Sequence, residues 1–437
     1  MRVFLSGLVA MFVASAMFSA ELNWPQFRGP RGDGTSKAIT VPTSWSETNN
    51  IAWRVSVPGR GRSSPVVLGN RIWLTTAIER NVERKNIGPD DMQVAEHVSL
   101  EAVCLDAADG KIIWRTKLFD VDNPDPVHWF NSWATPTPVV ELGRLYCDFG
   151  TFGTACLDAK SGKLIWQTRL PLDHQVGPGS SPVLYKNLLV LVRDGRDAQY
   201  VTALDKNTGK PVWKTERPPI EVSSPNLKKS FVTPLLINST GKEQLISPTA
   251  HWVVSYEPAT GKEIWRARHG TGFSIGSCPV FADGMTFFST GCTRPQLCTF
   301  RVDGDGDVTT THAGWKASRQ IPVMSSPVVA GAEIYWVSDE GFACCADAKT
   351  GEVNWQERLA GPHLASPLLA EGRIYFFSRE GKTTIIKAGK QFEKIAENAL
   401  EGPLMATPAI VDGAIFLRTD DYLYRVGKES AAHSGAQ

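Results

Sequence analysis

The side chains best suited to chemistry in this chain are Arg62, Asn131, Trp133, Arg193, His251, Trp252, Arg294, Arg379 and Arg418, with the acids Asp339, Glu340 and Asp420. Each stands shortly before a Ser-Pro, Thr-Pro or Cys-Pro step, or at the end of the apolar run that follows one; Asp194 and His363 share that placement. Arginine forks grip carboxylates, tryptophan faces stack on flat rings, and carboxylates offer the hard oxygens that Ca²⁺ takes or serve as a base. Gathered round one axis, such groups would hold a planar polyanion beside a calcium ion. The plainer reading is preferred: the mouth of a water-filled funnel is polar because it is wet.

Two literal motif matches carry less. Gly272-Phe273-Ser274-Ile275-Gly276 fits the hydrolase Gly-x-Ser-x-Gly pattern but precedes a Pro-marked strand, where a nucleophile elbow would need a helix. Asp303-Gly304-Asp305-Gly306-Asp307 opens like a calcium loop but lacks the distal Glu and occupies a hairpin slot. The histidines show no His-Glu-x-x-His spacing.

What must position these residues is a repeat. Leu157-Asp158-Ala159-Lys160-Ser161-Gly162-Lys163-Leu164-Ile165-Trp166 returns around Asp106 and Trp114, Asp205 and Trp213, Glu257 and Trp265, and Asp347 and Trp355. A Ser, Thr or Cys before Pro recurs in phase at Pro65, Pro138, Pro182, Pro234, Pro279, Pro327, Pro367 and Pro408. From Pro138 onward these prolines lie 44, 52, 45, 48, 40 and 41 residues apart. A period of about 40–50 residues built from strand-type runs predicts a propeller or solenoid. Pro cannot donate to a ladder, so it marks the first residue of an innermost strand. The Asp-x-x-Thr-Gly-Lys step supplies a hairpin turn, and Trp sits in the outer strand beyond it. In the seventh unit Phe392 takes the Trp place, whereas Trp53 precedes the first Pro start. The last unit stops at Tyr422–Arg425 with no outer strand after it. The economical repair is circular: an all-β, eight-bladed β-propeller of four-stranded antiparallel blades, closed by the N-terminal strand around Ile51–Val57.

The motif Ala203-x-Asp205-x-x-Thr208-Gly209-Lys210-x-x-Trp213, matched nearly as well in four other units, resembles the docking motif of the pyrroloquinoline-quinone-like (PQQ-like) propeller family, over roughly Asn49 to Gly427. The resemblance implies the quinoprotein alcohol dehydrogenase-like fold. It does not imply one chemistry: the family includes quinone-dependent alcohol dehydrogenases and also cofactor-free propellers such as the lipoprotein of the outer-membrane barrel assembly machine.

The remaining chain sets the context. Met1–Ala20, with Arg2 followed by an apolar, small-residue-rich run, reads as a secretory signal peptide cut after Ala16 or Ala20. A Pro/Gly-rich extension, 21–48, precedes the propeller at 49–427 and is expected across the outside of the ring with Trp24 and Phe27 anchored; 428–437 is read as a flexible tail. A net charge of +1 gives no reason to expect nucleic acid, and no stable membrane insertion is expected after leader removal. Of the eight cysteines, Cys104, Cys156, Cys298 and Cys345 occupy the small-residue slot of the repeat. Cys344-Cys345 is adjacent, as is a disulfide over the quinone in some dehydrogenases of the resembling family, but it lies inside a strand where neighbours face opposite ways.

Long insertions, 75–101, 116–134, 171–179, 216–229 and 267–276, fall on one face of the ring, together with six of the eight histidines. The expectation is an exported, periplasmic or extracellular, monomeric binding or scaffold module that takes a protein or polymer partner on that face, without a cofactor. Its rival, implied by the resemblance, is a PQQ- and Ca²⁺-dependent alcohol or sugar dehydrogenase with its site in the funnel.

Overall fold

The computed structural model describes residues 23–427; the expected leader and tail lie outside the described residues. The chain is a β-propeller: among the described residues the strands form antiparallel sheets, to two of which Thr35–Ser36 and Gly306–Asp307 add in parallel, joined by loops and two short 3₁₀ turns, with no α-helix. In chain order the sheets are built as follows. Sheet 1 contains Val66–Leu68, Arg71–Ile87, Asp90–Asp106 and Ile112–Asp122; sheet 2 contains Val139–Glu141, Arg144–Asp148, Thr154–Asp158 and Leu164–Thr168. Sheet 3 runs from Val183–Tyr185 through Leu188–Asp194 and Gln199–Asp205 to Pro211–Glu216, and sheet 4 from Leu235–Ser239 through Lys242–Thr249 and Trp252–Tyr256 to Glu263–Arg268. Sheets 5, 6 and 7 begin at Val280–Ala282, Val328–Ala330 and Leu368–Ala370. In an eighth sheet Ala409–Val411, Ala414–Arg418 and Tyr422–Val426 are joined by Ile51–Ser56, which pairs antiparallel with Tyr422–Val426.

Two features of the repeat acquire physical reasons. The first is the hydroxyl before each proline. Proline lacks an N–H, so the preceding residue carries the last donor before the strand, and that donor turns sideways to the next sheet. Ser64 N–H donates to Thr137 Oγ1, Thr137 N–H to Ser181 Oγ and Ser181 N–H to Thr233 Oγ1, each at 2.9 Å. Cys278, Ser326 and Ser366 N–H continue the chain to Ser326 Oγ, Ser366 Oγ and Thr407 Oγ1 at 2.9, 3.0 and 3.0 Å. These side chains are buried, where an unpaired amide would be costly.

The second is the pairing of Trp with Gly in neighbouring units. Each docks on the other across a sheet boundary: a Cβ on Gly162, Gly209, Gly261 or Gly351 would lie 2.4–2.7 Å from the nearest indole atom of Trp114, Trp166, Trp213 or Trp315 of the preceding sheet. These glycines also hold φ between +70° and +76°, so the position needs glycine twice over. Trp166 and Trp315 donate from Nε1 to Lys206 O and Ala348 O at 2.9 Å. Trp53 repeats the arrangement on sheet 1, against Gly110 and with Nε1 3.1 Å from Ala107 O.

The N-terminal extension runs along the innermost strands, not across the outside of the sheets. Asn23–Trp24 pairs with Val67–Leu68 of sheet 1, Pro25 O accepts from Val140 of sheet 2, and Thr35–Ser36 pairs with Leu369–Ala370 of sheet 7. Between these ties Arg28 is fully buried, donating from Nη2 to Asp33 O (2.7 Å) and to Pro327 O of sheet 6 (2.6 Å). The innermost strands present unpaired edges to the axis, and a short Pro/Gly-rich segment can satisfy several of them in turn. Trp24 is anchored in the core as expected, whereas Phe27 lines the axial cavity.

Candidate functional site

A cavity of about 520 Å³ opens on the loop-rich face, in the size range of small-molecule pockets. Its wall has a periodicity that follows from the repeat. Arg62, Thr135, Gly179, Phe231, Gly276, Met324, Leu364 and Met405 all line it, and each stands three residues before a repeat proline. In extended chain, residues two apart point the same way, so these positions and the pre-proline hydroxyls Ser64, Thr137, Ser181, Thr233, Ser366 and Thr407 form two tiers. Phe27 comes up from the extension to join them. The tier above the hydroxyls holds one charge, Arg62, and is otherwise mostly apolar or small.

Charge enters nearer the mouth, from the loops. Asp90, at the tip of the long sheet 1 hairpin, accepts from Gln175 Nε2 at 2.9 Å, and Gln175 Oε1 in turn accepts from Lys229 Nζ. Burial lowers the Lys229 ammonium from its ordinary value, while Asp90 and the Cys292 thiol work in the opposite direction. Asp339 accepts from Val323 N–H at 3.0 Å, and burial pushes its carboxyl up to about 6. The Arg379 guanidinium lies 4.7 Å from the centre of the Phe130 ring, and burial lowers the nearby His128 imidazole. Arg84 caps Trp129 beside them, 3.9 Å from its ring centre, and pairs with Asp91, which docks the hairpin against residues 127–131.

Of the residues singled out from sequence, Arg62, Asn131, Asp339 and Arg379 line this cavity. Arg62 contacts Asp420, and burial together with Arg60 and Arg418 lowers its guanidinium to about 9. Asn131 is consumed by the loop: its Nδ2 donates to Val176 O and Pro178 O at 2.9 and 3.1 Å. The others lie elsewhere. Trp133 is wholly buried between sheets 1 and 2, with Nε1 on Asp125 O at 2.9 Å. Arg193 is paired with Asp148 between sheets 2 and 3, and Asp194 with Arg217 on the other side of sheet 3. His251 and Trp252 are buried at a turn of sheet 4; Trp252 Nε1 donates to Pro219 O at 3.2 Å. His363 is buried against Gly361 O. Arg294 and Glu340 are exposed outside the cavity wall. Arg418 is buried where sheet 8 meets sheet 1, donating from Nη1 to Ser63 O and Thr75 O, both at 3.0 Å.

The common reason is geometric. Side chains within a strand stand perpendicular to the sheet, and in a propeller that direction points at the neighbouring sheet, not at the axis. Lys229, Cys292 and Phe130 belong to loops, and Asp90 to the tip of a hairpin, whose paths the repeat does not set. The third position before each proline was available as a signal and went unused.

A family model described as outer membrane protein assembly factor BamB matches residues 99–246 and 249–391. The chain belongs to that family. Its fold is the PQQ-like propeller, and the same fold is seen in BamB from Moraxella catarrhalis, which is 14% identical with a TM-score of 0.55 over 80% of this chain and 98% of that one. The quinohemoprotein alcohol dehydrogenase from Comamonas testosteroni is 12% identical with a TM-score of 0.63, over 97% of this chain and 83% of that one. Among curated proteins, the dehydrogenase subunit of alcohol dehydrogenase (quinone) from Komagataeibacter europaeus is 28% identical over 219 residues, which are 46% of this chain and 26% of that subunit. The matched stretch is therefore about a quarter of that relative.

The fit of the funnel to a quinone and calcium is poor on its own residues. The tryptophans expected to stack are in inter-sheet cores. Cys344 and Cys345 face opposite sides of sheet 6, in separate hydrophobic clusters, and both are free thiols. Among the described residues no three His, Cys, Asp or Glu side chains gather in a way that would hold a metal ion.

Proposed function

We propose that this protein is an exported binding propeller: eight blades in one ring, closed where Ile51–Ser56 completes the last sheet, with a protein or polymer partner held on the loop-rich face. The observation that carries this reading is the make-up of the funnel and its rim. The floor is hydroxyl and apolar with Arg62 as its one charge, the other charged groups sit at the mouth, and the long sheet 1 hairpin projects exposed residues beside it. An apolar-floored depression rimmed by mixed charge suits docking of an amphipathic segment.

The test is site-specific photo-crosslinking in the cell envelope, with the probe at Ile87 on the hairpin or at Leu142 on the opposite turn; these are 46% and 95% exposed. The reading expects a discrete adduct from Ile87 and none from Leu142. Equal capture from both, or from neither, overturns it.

The similarity to the quinone-dependent dehydrogenase subunit favours a second reading, dye-linked oxidation of alcohols or aldoses with PQQ and Ca²⁺. Stoichiometric uptake of both with turnover would establish it. The binding reading expects neither.

A further inference from the structure

Lys229 is used by no part of the reading above. It lies on the loop joining sheets 3 and 4, lines the funnel, and is 5% exposed. Among the described residues its Nζ has one hydrogen-bond partner, the neutral Gln175 amide, and the charge is balanced only at second hand through Asp90. Its backbone carbonyl is held by Ser274 N–H at 2.7 Å, which fixes the stem beside Phe273. Phe231, two residues along the chain, and Phe273 supply apolar walls to the same cavity.

A lysine held at an apolar wall without a direct carboxylate partner is a poor structural cation and a good nucleophile. We propose that Lys229 captures small apolar aldehydes or ketones in the funnel as a Schiff base. The amine nitrogen adds to the carbonyl carbon, the carbinolamine loses its oxygen as water, and a carbon–nitrogen double bond replaces the carbon–oxygen one. No oxidant or reductant is consumed.

The charged and titratable groups facing Lys229 come from five segments, one of which carries His128, an imidazole lowered by burial and in part by the Lys229 charge. Asp90, Asp173 and Cys292 oppose the lowering of its ammonium, Arg196 adds to it, and burial outweighs them all. The neutral amine is thus populated at lower pH than on the exposed lysines. This inference goes beyond the docking of a partner and needs none present.

The experiment is reductive trapping of the full-length protein with benzaldehyde and sodium cyanoborohydride near neutral pH, followed by peptide mass mapping. Lys229 is expected to be alkylated several-fold faster than the exposed lysines. The fast phase should vanish in both Lys229→Arg and Lys229→Met, each checked for an unchanged melting transition. Labelling that tracks surface exposure, a fast adduct on Cys292, or a fast phase surviving in either folded variant overturns the proposal. The Ile87 crosslink is unaffected by any of these outcomes, so the two readings fail separately.

Discussion

Arg193 separates a ligand-binding role from a structural one most sharply. It lies in sheet 3 and meets Asp148 of sheet 2 through Nη1–Oδ2 at 3.1 Å and Nη2–Oδ1 at 2.7 Å. Both side chains are 1% exposed. Thr154 completes the group, accepting from Arg193 Nη2 at 3.2 Å and donating to Asp148 Oδ1 at 2.6 Å. Asp148→Ala leaves a buried guanidinium without its counter-charge, which costs about 3–5 kcal/mol; Arg193→Met strands the carboxylate at a similar cost of about 3–5 kcal/mol. Replacing the whole group, Arg193→Met with Asp148→Leu and Thr154→Val, removes every stranded charge and should return to within about 1–2 kcal/mol of the parent. The assay is urea unfolding followed by tryptophan fluorescence and circular dichroism, with coincident transitions as the condition for comparing free energies. A ligand-gripping arginine predicts the opposite: a stable single variant. Single variants within about 1 kcal/mol of the parent, or costs that simply add in the triple variant, would refute the structural assignment.

Three further outcomes follow from the same geometry. Thr137→Val leaves the buried Ser64 N–H without its acceptor and should cost about 1–3 kcal/mol in the same unfolding assay, whereas Thr137→Ser should behave as the parent. Trp53→Ala removes the indole that docks on Ala107 and Gly110 and should cost about 3 kcal/mol; a melting point unchanged from the parent would refute closure through this strand. Acid should destabilise the fold. Burial holds His269 and His363 at about 4 and His174 at about 3, so at these sites the unfolded chain binds three more protons below the ordinary histidine value and stability falls as pH drops. Asp339, raised to about 6, opposes them with one proton. The net slope from these four groups is about 2.7 kcal/mol per pH unit between roughly 4 and 6. Urea midpoints measured against pH should flatten in His363→Gln and steepen in Asp339→Asn.

The repeat carried most of the architecture into the sequence because it is local. Asp-x-x-Thr-Gly-Lys-x-x-Trp closes a turn within ten residues, and Ser-Pro or Thr-Pro starts a strand wherever it falls. Hence the four-stranded units, the Trp places and the odd strand around Trp53 were all legible before any contact was known. What the neighbours do with those residues was not. The indole docks on a glycine of the next unit, and the pre-proline hydroxyl accepts from the preceding one. Arg193 and Trp133 point into boundaries between sheets because a strand side chain stands perpendicular to its own sheet. The funnel itself is assembled from loops about 40 or more residues apart in sequence, and the placing of Lys229 near Asp90 and Cys292 depends on how far each loop folds inward. Local turn chemistry sets the repeating unit; only the packing of one sheet against the next decides which side chains share a cavity.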